Sequence, residues 1–152
     1  MKLSTKTRYG TRAMLELADN YGGKVSPVNV IAKNQSISER YLQNILLILV
    51  NAGLVKSVRG KKGGFVLAKD PSEISLAEIV LALEEDKLLF EAYDEDSSAD
   101  SSYEKSSICV MSKVWEMVSE QLHKFLSEIT LSQLARMKSE KEFGEKILDF
   151  CI

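Results

Sequence analysis

Residues 54 to 67 read Leu54-Val-Lys-Ser-Val-Arg-Gly-Lys-Lys-Gly-Gly-Phe-Val-Leu67. Two short apolar runs, rich in β-branched and aromatic residues, flank a tip of three cations and three glycines. The pattern predicts a β-hairpin with strands at 54–58 and 65–67. A phosphate-binding loop would need G-x-x-x-x-G-K-[S/T] between a strand and a helix. Here a strand follows Gly64, so no helix N-terminus waits to receive a phosphate. A hairpin tip laid on a nucleic-acid backbone fits better. Lys61 and Lys62 can neutralise phosphates and release counterions. Arg59 suits a narrow minor groove, where the negative potential is enhanced.

Upstream, Tyr9, Ala13, Met14, Leu17 and Ala18 recur three and four apart, which marks one helix face over residues 4–20. Gly22-Gly23 ends that helix. Ser26-Pro27 reads as a helix start, with Ser26 as N-cap and Pro27 in the first helical position, where its missing N–H costs nothing. This helix is short and closes near Asn34-Gln35. Ser36-Ile-Ser-Glu39 offers a capping box or, equally, an N-cap at Ser38. A third helix runs to Asn51-Ala52, and Gly53 stops it as a C′ glycine does. Helix, short helix, turn, helix and hairpin make a winged helix-turn-helix. The expected fold class is mainly α with a small β-hairpin.

Downstream, Ser75-Leu-Ala-Glu78 is a capping box that opens a helix through Leu83. Residues 1–83 therefore read as one DNA-binding domain. Residues 84–108 mix serines with acids and lose periodicity, which predicts a mobile acidic loop. A long helix follows from 109, with Val110, Val114, Trp115, Val118, Leu122, Phe125 and Ile129 on one side. Thr130-Leu-Ser-Gln133 caps a last short helix through Met137, and a polar, then apolar, tail completes 109–152.

Charge separates the two halves. Residues 1–67 hold 11 Lys and Arg against 3 Asp and Glu, whereas residues 68–152 hold 9 against 19. A basic module joined to an acidic one points to a polyanion-binding domain with a separate partner or sensor domain. No apolar stretch approaches membrane-spanning length, the longest being Ile45 to Val50. The start, M-K-L-S-T-K-T-R, has charge but no apolar core of a secretory signal. Two cysteines, Cys109 and Cys151, make no disulfide framework, so a reducing, cytoplasmic setting is expected.

No Ser/His/Asp or Cys/His constellation and no metal-ligand spacing is visible, so an enzyme is not expected. The third helix is the element expected in the major groove. Ser38, Glu39, Arg40, Gln43 and Asn44 sit on its N-terminal exposed side. Arg40 can pair bidentately with guanine, Gln43 or Asn44 with adenine, and Glu39 can accept from cytosine. Glu39 reads equally as a helix cap. Tyr41 is either a phosphate contact through its hydroxyl or a half-buried packing residue. Lys2, Ser4, Lys6 and Arg8 begin the first helix as phosphate contacts or as solvated groups. An interaction module that has lost DNA binding is the remaining alternative. Arg59, Arg40 and Gln43 argue against it, and steep salt dependence would separate the two.

Three stretches carry a resemblance: M-K-L-S-T-K-T-R-Y-G-x-R-A-M-L-E-L-A, I-S-E-R-Y-L-Q, and N-A-G-L-V-K-S-V-R-G-x-x-G-G-F-V-L. Together with I-T-L-S-Q-L after the long helix, they resemble the Rrf2 family of bacterial winged-helix repressors over nearly the whole chain. That family includes iron–sulfur cluster regulators, nitric-oxide sensors and cysteine-metabolism repressors of the CymR type. The resemblance implies a homodimer built on the long helix, 109–127, bound to a roughly palindromic operator.

The chain also departs from the family. Members often carry basic residues late in the third helix, where this chain has Leu-Ile-Leu-Val at 47–50, either extra core or a contact surface. Cluster-binding members carry three cysteines about six apart before the long helix. With Cys109 as the last, Tyr103 and Ser97 stand in the other two places. Ser112 holds a further ligand position, and Arg8 stands where some nitric-oxide sensors use a carboxylate. A cluster needs four ligands, mostly thiolates, so no cofactor is expected. His123 reads as a packing or surface residue. Cys109, near a helix N-terminus, is either a redox-sensitive thiol or a small residue at a helix start. The ending Asp149-Phe150-Cys151-Ile152 resembles the tail of the CymR type and the isoleucine that serine acetyltransferases insert into cysteine synthase. Phe150 and Ile152 are thus either a dock for cysteine synthase or a terminus packed on its own dimer.

Overall fold

The computed structural model describes residues 3–84 and 102–150. Among these the chain runs α1 (Thr5–Asp19), α2 (Val28–Gln35), α3 (Glu39–Asn51), β1 (Val55–Val58), β2 (Gly64–Leu67), α4 (Leu76–Glu84), α5 (Ser102–Glu128) and α6 (Leu131–Phe150). Most helix starts follow local capping chemistry. Ser4 caps α1, its hydroxyl accepting from the Thr7 N–H at 3.1 Å. Ser38 caps α3 by accepting from the Tyr41 N–H at 3.2 Å. Ser36 instead turns the chain in a left-handed conformation with φ 55. Ser75 with Glu78, and Thr130 with Gln133, form reciprocal capping boxes at α4 and α6. Gly53, with φ 73, follows α3 in the C′ position.

The start of α2 differs from the sequence expectation. Pro27 is the N-cap, and Val28 is the first helical residue. Ser26 lies one residue outside the cap, with its hydroxyl accepting from the Asn20 side-chain amide at 3.2 Å and its backbone held in a bridge to β2. Its N–H donates to the Phe65 carbonyl at 3.0 Å, and the Phe65 N–H donates to the Ser26 carbonyl at 2.9 Å. Gly64 permits this approach: a Cβ there would lie 2.3 Å from the Ser26 carbonyl oxygen.

One core joins these elements. Met14 and Leu17 of α1, Ile31 of α2, Leu42, Ile45, Leu46 and Leu49 of α3 are all buried. Phe65 of β2, Ile79 and Leu83 of α4 and Leu131 of α6 close it. The last of these shows that α6 returns to the winged-helix domain. A bridge between Ser75 and Thr130 ties the starts of α4 and α6, and Lys138 pairs with Asp19 of α1.

Three boundaries in the C-terminal half move. The acidic loop expected over 84–108 yields Glu84 to α4 and residues 102–108 to α5. Extending a helix by about two more turns costs little once it is nucleated, and this outweighs the weak propensity of its serines. Residues 85–101 lie outside the described ones. At the other end α6 continues past Met137 to Phe150 through a Lys- and Glu-rich run of good helix formers. Finally, the single apolar side expected of the long helix is two stripes. Trp115, Ser119, Leu122 and Leu126 turn inward, whereas Val110, Val114, Met117, Val118 and Phe125 are exposed.

Candidate nucleic-acid interface

The inward face of α3 is Leu42, Ile45, Leu46 and Leu49, spaced three and four apart. That burial fixes the opposite stripe. Glu39, Arg40, Gln43, Asn44 and Leu47 lie on it, and all are exposed. The apolar run at 47–50 therefore divides: Leu49 is core, Ile48 and Val50 are packed against it, and Leu47 is 45% exposed. Ser38 is exposed at the helix start while its hydroxyl serves the cap.

The hairpin supports the second group of cations. β1 and β2 pair antiparallel, with Val55 opposite Leu67 and Val58 opposite Gly64. Residues 59–63 project beyond the last pair. The Gly63 N–H closes the tip on the Gly60 carbonyl at 2.9 Å, and Gly60 takes φ 120. Arg59, Lys61 and Lys62 are exposed there. The Ser26–Phe65 bridge anchors the base of this wing to the start of α2.

Longer-range contacts hold α2 and α3 on α1, and sequence reasoning missed them. The Glu16 carboxylate accepts from the Asn34 side-chain amide at 2.6 Å and the Gln35 amide at 3.0 Å. Tyr41 packs edge-on against Tyr9, ring centroids 6.2 Å apart, and keeps 37% of its surface exposed. The Arg12 guanidinium lies 5.7 Å from the centre of the Tyr9 ring, a cation–π distance. The only local sequence signal is the three-residue spacing of Tyr9 and Arg12.

The start of α1 is occupied by intramolecular contacts. Glu84 accepts from the Ser4 N–H at 3.1 Å and the Thr7 hydroxyl at 2.5 Å. Its carboxylate sits at a helix N-terminus, where the backbone dipole favours negative charge. Burial works to raise its pKa. The bonds from Thr7 and Ser4 and the charge of Lys6 outweigh this and leave it below the ordinary value. Arg8 reaches the Thr5 hydroxyl at 3.4 Å and lines a cavity against Leu122 and Leu126 of α5. Lys2 lies outside the described residues.

The sensor residues are placed differently from expectation. Cys109 lies two turns inside α5, which starts at Ser102, so the argument for a thiolate favoured at a helix N-terminus does not apply. His123 is exposed on the same helix, about 21 Å along the axis from Cys109 at 1.5 Å per residue. The two cannot share a metal within one chain. Among the described residues no group of three His, Cys, Asp or Glu could hold a metal ion. Phe150 is the last residue of α6 and not part of an extended tail, and Ile152 lies outside the described residues. No helix among the described residues is long and apolar enough to cross a membrane.

Residues 3–137 match the sequence profile of Rrf2, described as an iron-dependent transcriptional regulator. The chain belongs to the Rrf2 family. Its Rrf2 relatives include CymR of Bacillus subtilis, an HTH-type transcriptional regulator 34% identical over 89% of this chain and 90% of that protein. The solved structure of that CymR, described as the global cysteine regulator of its organism, superposes with a TM-score of 0.71 at 33% identity, covering 90% of this chain and 98% of the other. IscR from T. potens superposes with a TM-score of 0.67 at 35% identity, over 93% and 90% of the two chains. This Rrf2 member is a DNA-binding transcriptional regulator with the winged-helix architecture of those structures. Its donor set does not fit an iron–sulfur cluster held by one protomer. Two cysteines and one histidine in the whole chain fall short of the four ligands, mostly thiolates, that a cluster takes.

Proposed function

We propose that this regulator is a homodimeric, cytoplasmic repressor without an iron–sulfur cluster. Each protomer sets α3 in a major groove of a roughly palindromic operator and its wing on the adjoining backbone. The observation that carries this reading is the outward stripe of α3 beside a separately anchored cationic tip. Arg40, Gln43 and Asn44 read base edges, and Glu39 accepts from cytosine. Ser38 and Tyr41 contribute at the backbone. Arg59 enters the minor groove, and Lys61 and Lys62 neutralise phosphates. Of the α1 start, Lys2 and Lys6 add phosphate contacts; Ser4 belongs to its cap.

The dimer reading rests on the exposed stripe of α5. Val110, Val114, Met117, Val118 and Phe125 are exposed on one side of the helix, and apolar residues gathered in this way mark a protein interface. A second copy of the same helix is its natural cover, because a two-fold pair matches a palindromic site.

The likeness to CymR supports control of cysteine or sulfur genes. A finer proposal, carried from the sequence resemblance, is that Phe150 and Ile152 engage cysteine synthase. Deleting Ile152 should abolish co-purification of the two proteins, and unchanged binding would rule out that contact. The main test is selection of genomic fragments by the purified protein, followed by sequencing. A palindrome upstream of cysteine, sulfur-uptake or methionine genes is expected. A palindrome elsewhere removes the pathway, and no enrichment at low salt removes the operator model.

A further inference from the structure

A cavity of about 500 Å³ opens between α1, α4 and α5, on the inward side of α5. Its volume falls in the range of small-molecule sites, roughly 300–1,000 Å³. Leu3, Leu76, Val80, Leu122 and Leu126 make apolar walls. Arg8 and Arg12 stand together at its edge, four residues apart on one helix face. Among the described residues neither forms an ion pair, and no acid lines the cavity. Two like charges at that spacing repel each other, and an anion between them would relieve the repulsion.

We propose that this cavity binds a small amphipathic anion, a carboxylate on an apolar body. Arg8 and Arg12 hold the carboxylate, and the leucine and valine walls hold the body. Leu122 and Leu126 lie on the inward stripe of α5, apart from the outward stripe proposed for the dimer. The site is also connected to the DNA-binding face. Tyr9 lines the cavity, carries the Arg12 guanidinium over its ring, and meets Tyr41 in the first turn of α3. An anion that draws Arg12 away changes the support of Tyr9, and through it the seating of Tyr41. This second half rests on the proposed use of α3 in DNA recognition; the binding site does not.

The test is calorimetric titration of the full-length, DNA-free protein with octanoate, 3-phenylpropionate and octanol. Both carboxylates should saturate one site per chain, with octanol at least tenfold weaker. Arg8→Ala and Arg12→Ala should each weaken octanoate binding at least fivefold. Leu122→Trp, which fills the cavity, should abolish it with the helical circular dichroism intact. Carboxylates that fail to saturate, octanol that binds equally well, or arginine variants that bind normally would each overturn the site. On a selected operator fragment, saturating octanoate should shift affinity at least threefold for the wild type and leave the Arg8→Ala/Arg12→Ala double variant unmoved. Binding without that shift overturns the link to α3. Carboxylate binding by a protein that selects no fragment at all would instead break the operator model and leave the site standing.

Discussion

Arg59 stands on an exposed tip beyond the last strand pair, so removing its side chain takes nothing from the core. Arg59→Ala should therefore weaken operator binding without changing the melting temperature. The loss should be largest on sites with a narrow A·T minor groove, where the guanidinium gains most from the local potential. Fluorescence anisotropy across operator variants measures this, and equal affinities would remove Arg59 from the interface. Gln43→Ala acts differently, because Gln43 lies on the outward stripe of α3. It should relax sequence preference at one or two positions by roughly 1–3 kcal/mol each. A uniform loss across all sequences would reassign Gln43 to the backbone. The exposed placement of both was legible in the sequence, since a glycine-rich cationic turn and a capped helix announce themselves locally. Glu16, Tyr9 and Glu84 were not. Glu84 meets Ser4 across 80 positions of chain, and no local pattern encodes such a pairing.

At the level of elements, the wing depends on a close approach of two backbones. A Cβ at residue 64 would lie 2.3 Å from the Ser26 carbonyl oxygen and 2.7 Å from its carbonyl carbon. Neither atom can rotate away. Gly64→Ala should break the Ser26–Phe65 bridge and destabilise the fold by ~1–3 kcal/mol, the usual range for overpacking. Because the bridge anchors the wing, operator affinity should fall as well; a variant with native melting and native affinity would show that the bridge is dispensable. The same bridge explains a misread start. Ser26-Pro27 has the chemistry of an N-cap, but Phe65, distant in sequence, claims the Ser26 backbone first. The caps at Ser75 and Thr130 were legible because nothing competes for them, whereas Ser36 and Ser38 stood as equal starts for α3 until the structure chose Ser38.

A pH dependence follows from Glu84, which joins the end of α4 to the start of α1. Its pKa is lowered in the folded chain from the ordinary 4.5. A carboxyl held low contributes stability that is whole above its unfolded value and drains away as pH falls through its folded one. Thermal melting should thus be flat near neutrality and drop on acidification below about pH 4.5. Glu84→Gln should melt lower than the wild type at pH 7, and the gap should close in acid. A gap independent of pH would mean that the amide loses packing and not charge.

Across the whole molecule, charge sets the two halves apart, but the sequence could not divide the apolar residues of α5 between an inward and an outward stripe. Periodicity reports that a helix has an apolar side; only packing against α4 shows where the inner stripe ends and the outer one begins. Val114 lies on the outer stripe, away from Ser119 and Leu126. Val114→Glu should therefore leave the protomer folded, with unchanged helical circular dichroism. In a dimer built on that stripe the new carboxylate would be buried without a partner, at a cost of several kcal/mol. Sedimentation should then report a monomer at concentrations where the wild type is a dimer. Operator affinity should fall by about 10²–10⁴, because two half-sites bound by linked protomers gain that factor from effective concentration alone. Affinity for a single half-site should be unchanged, since α3 and the wing lie elsewhere. A Val114→Glu protein that still sediments as a dimer would move the interface off this stripe, and one that loses half-site binding as well would mean that α5 helps to hold the winged helix itself.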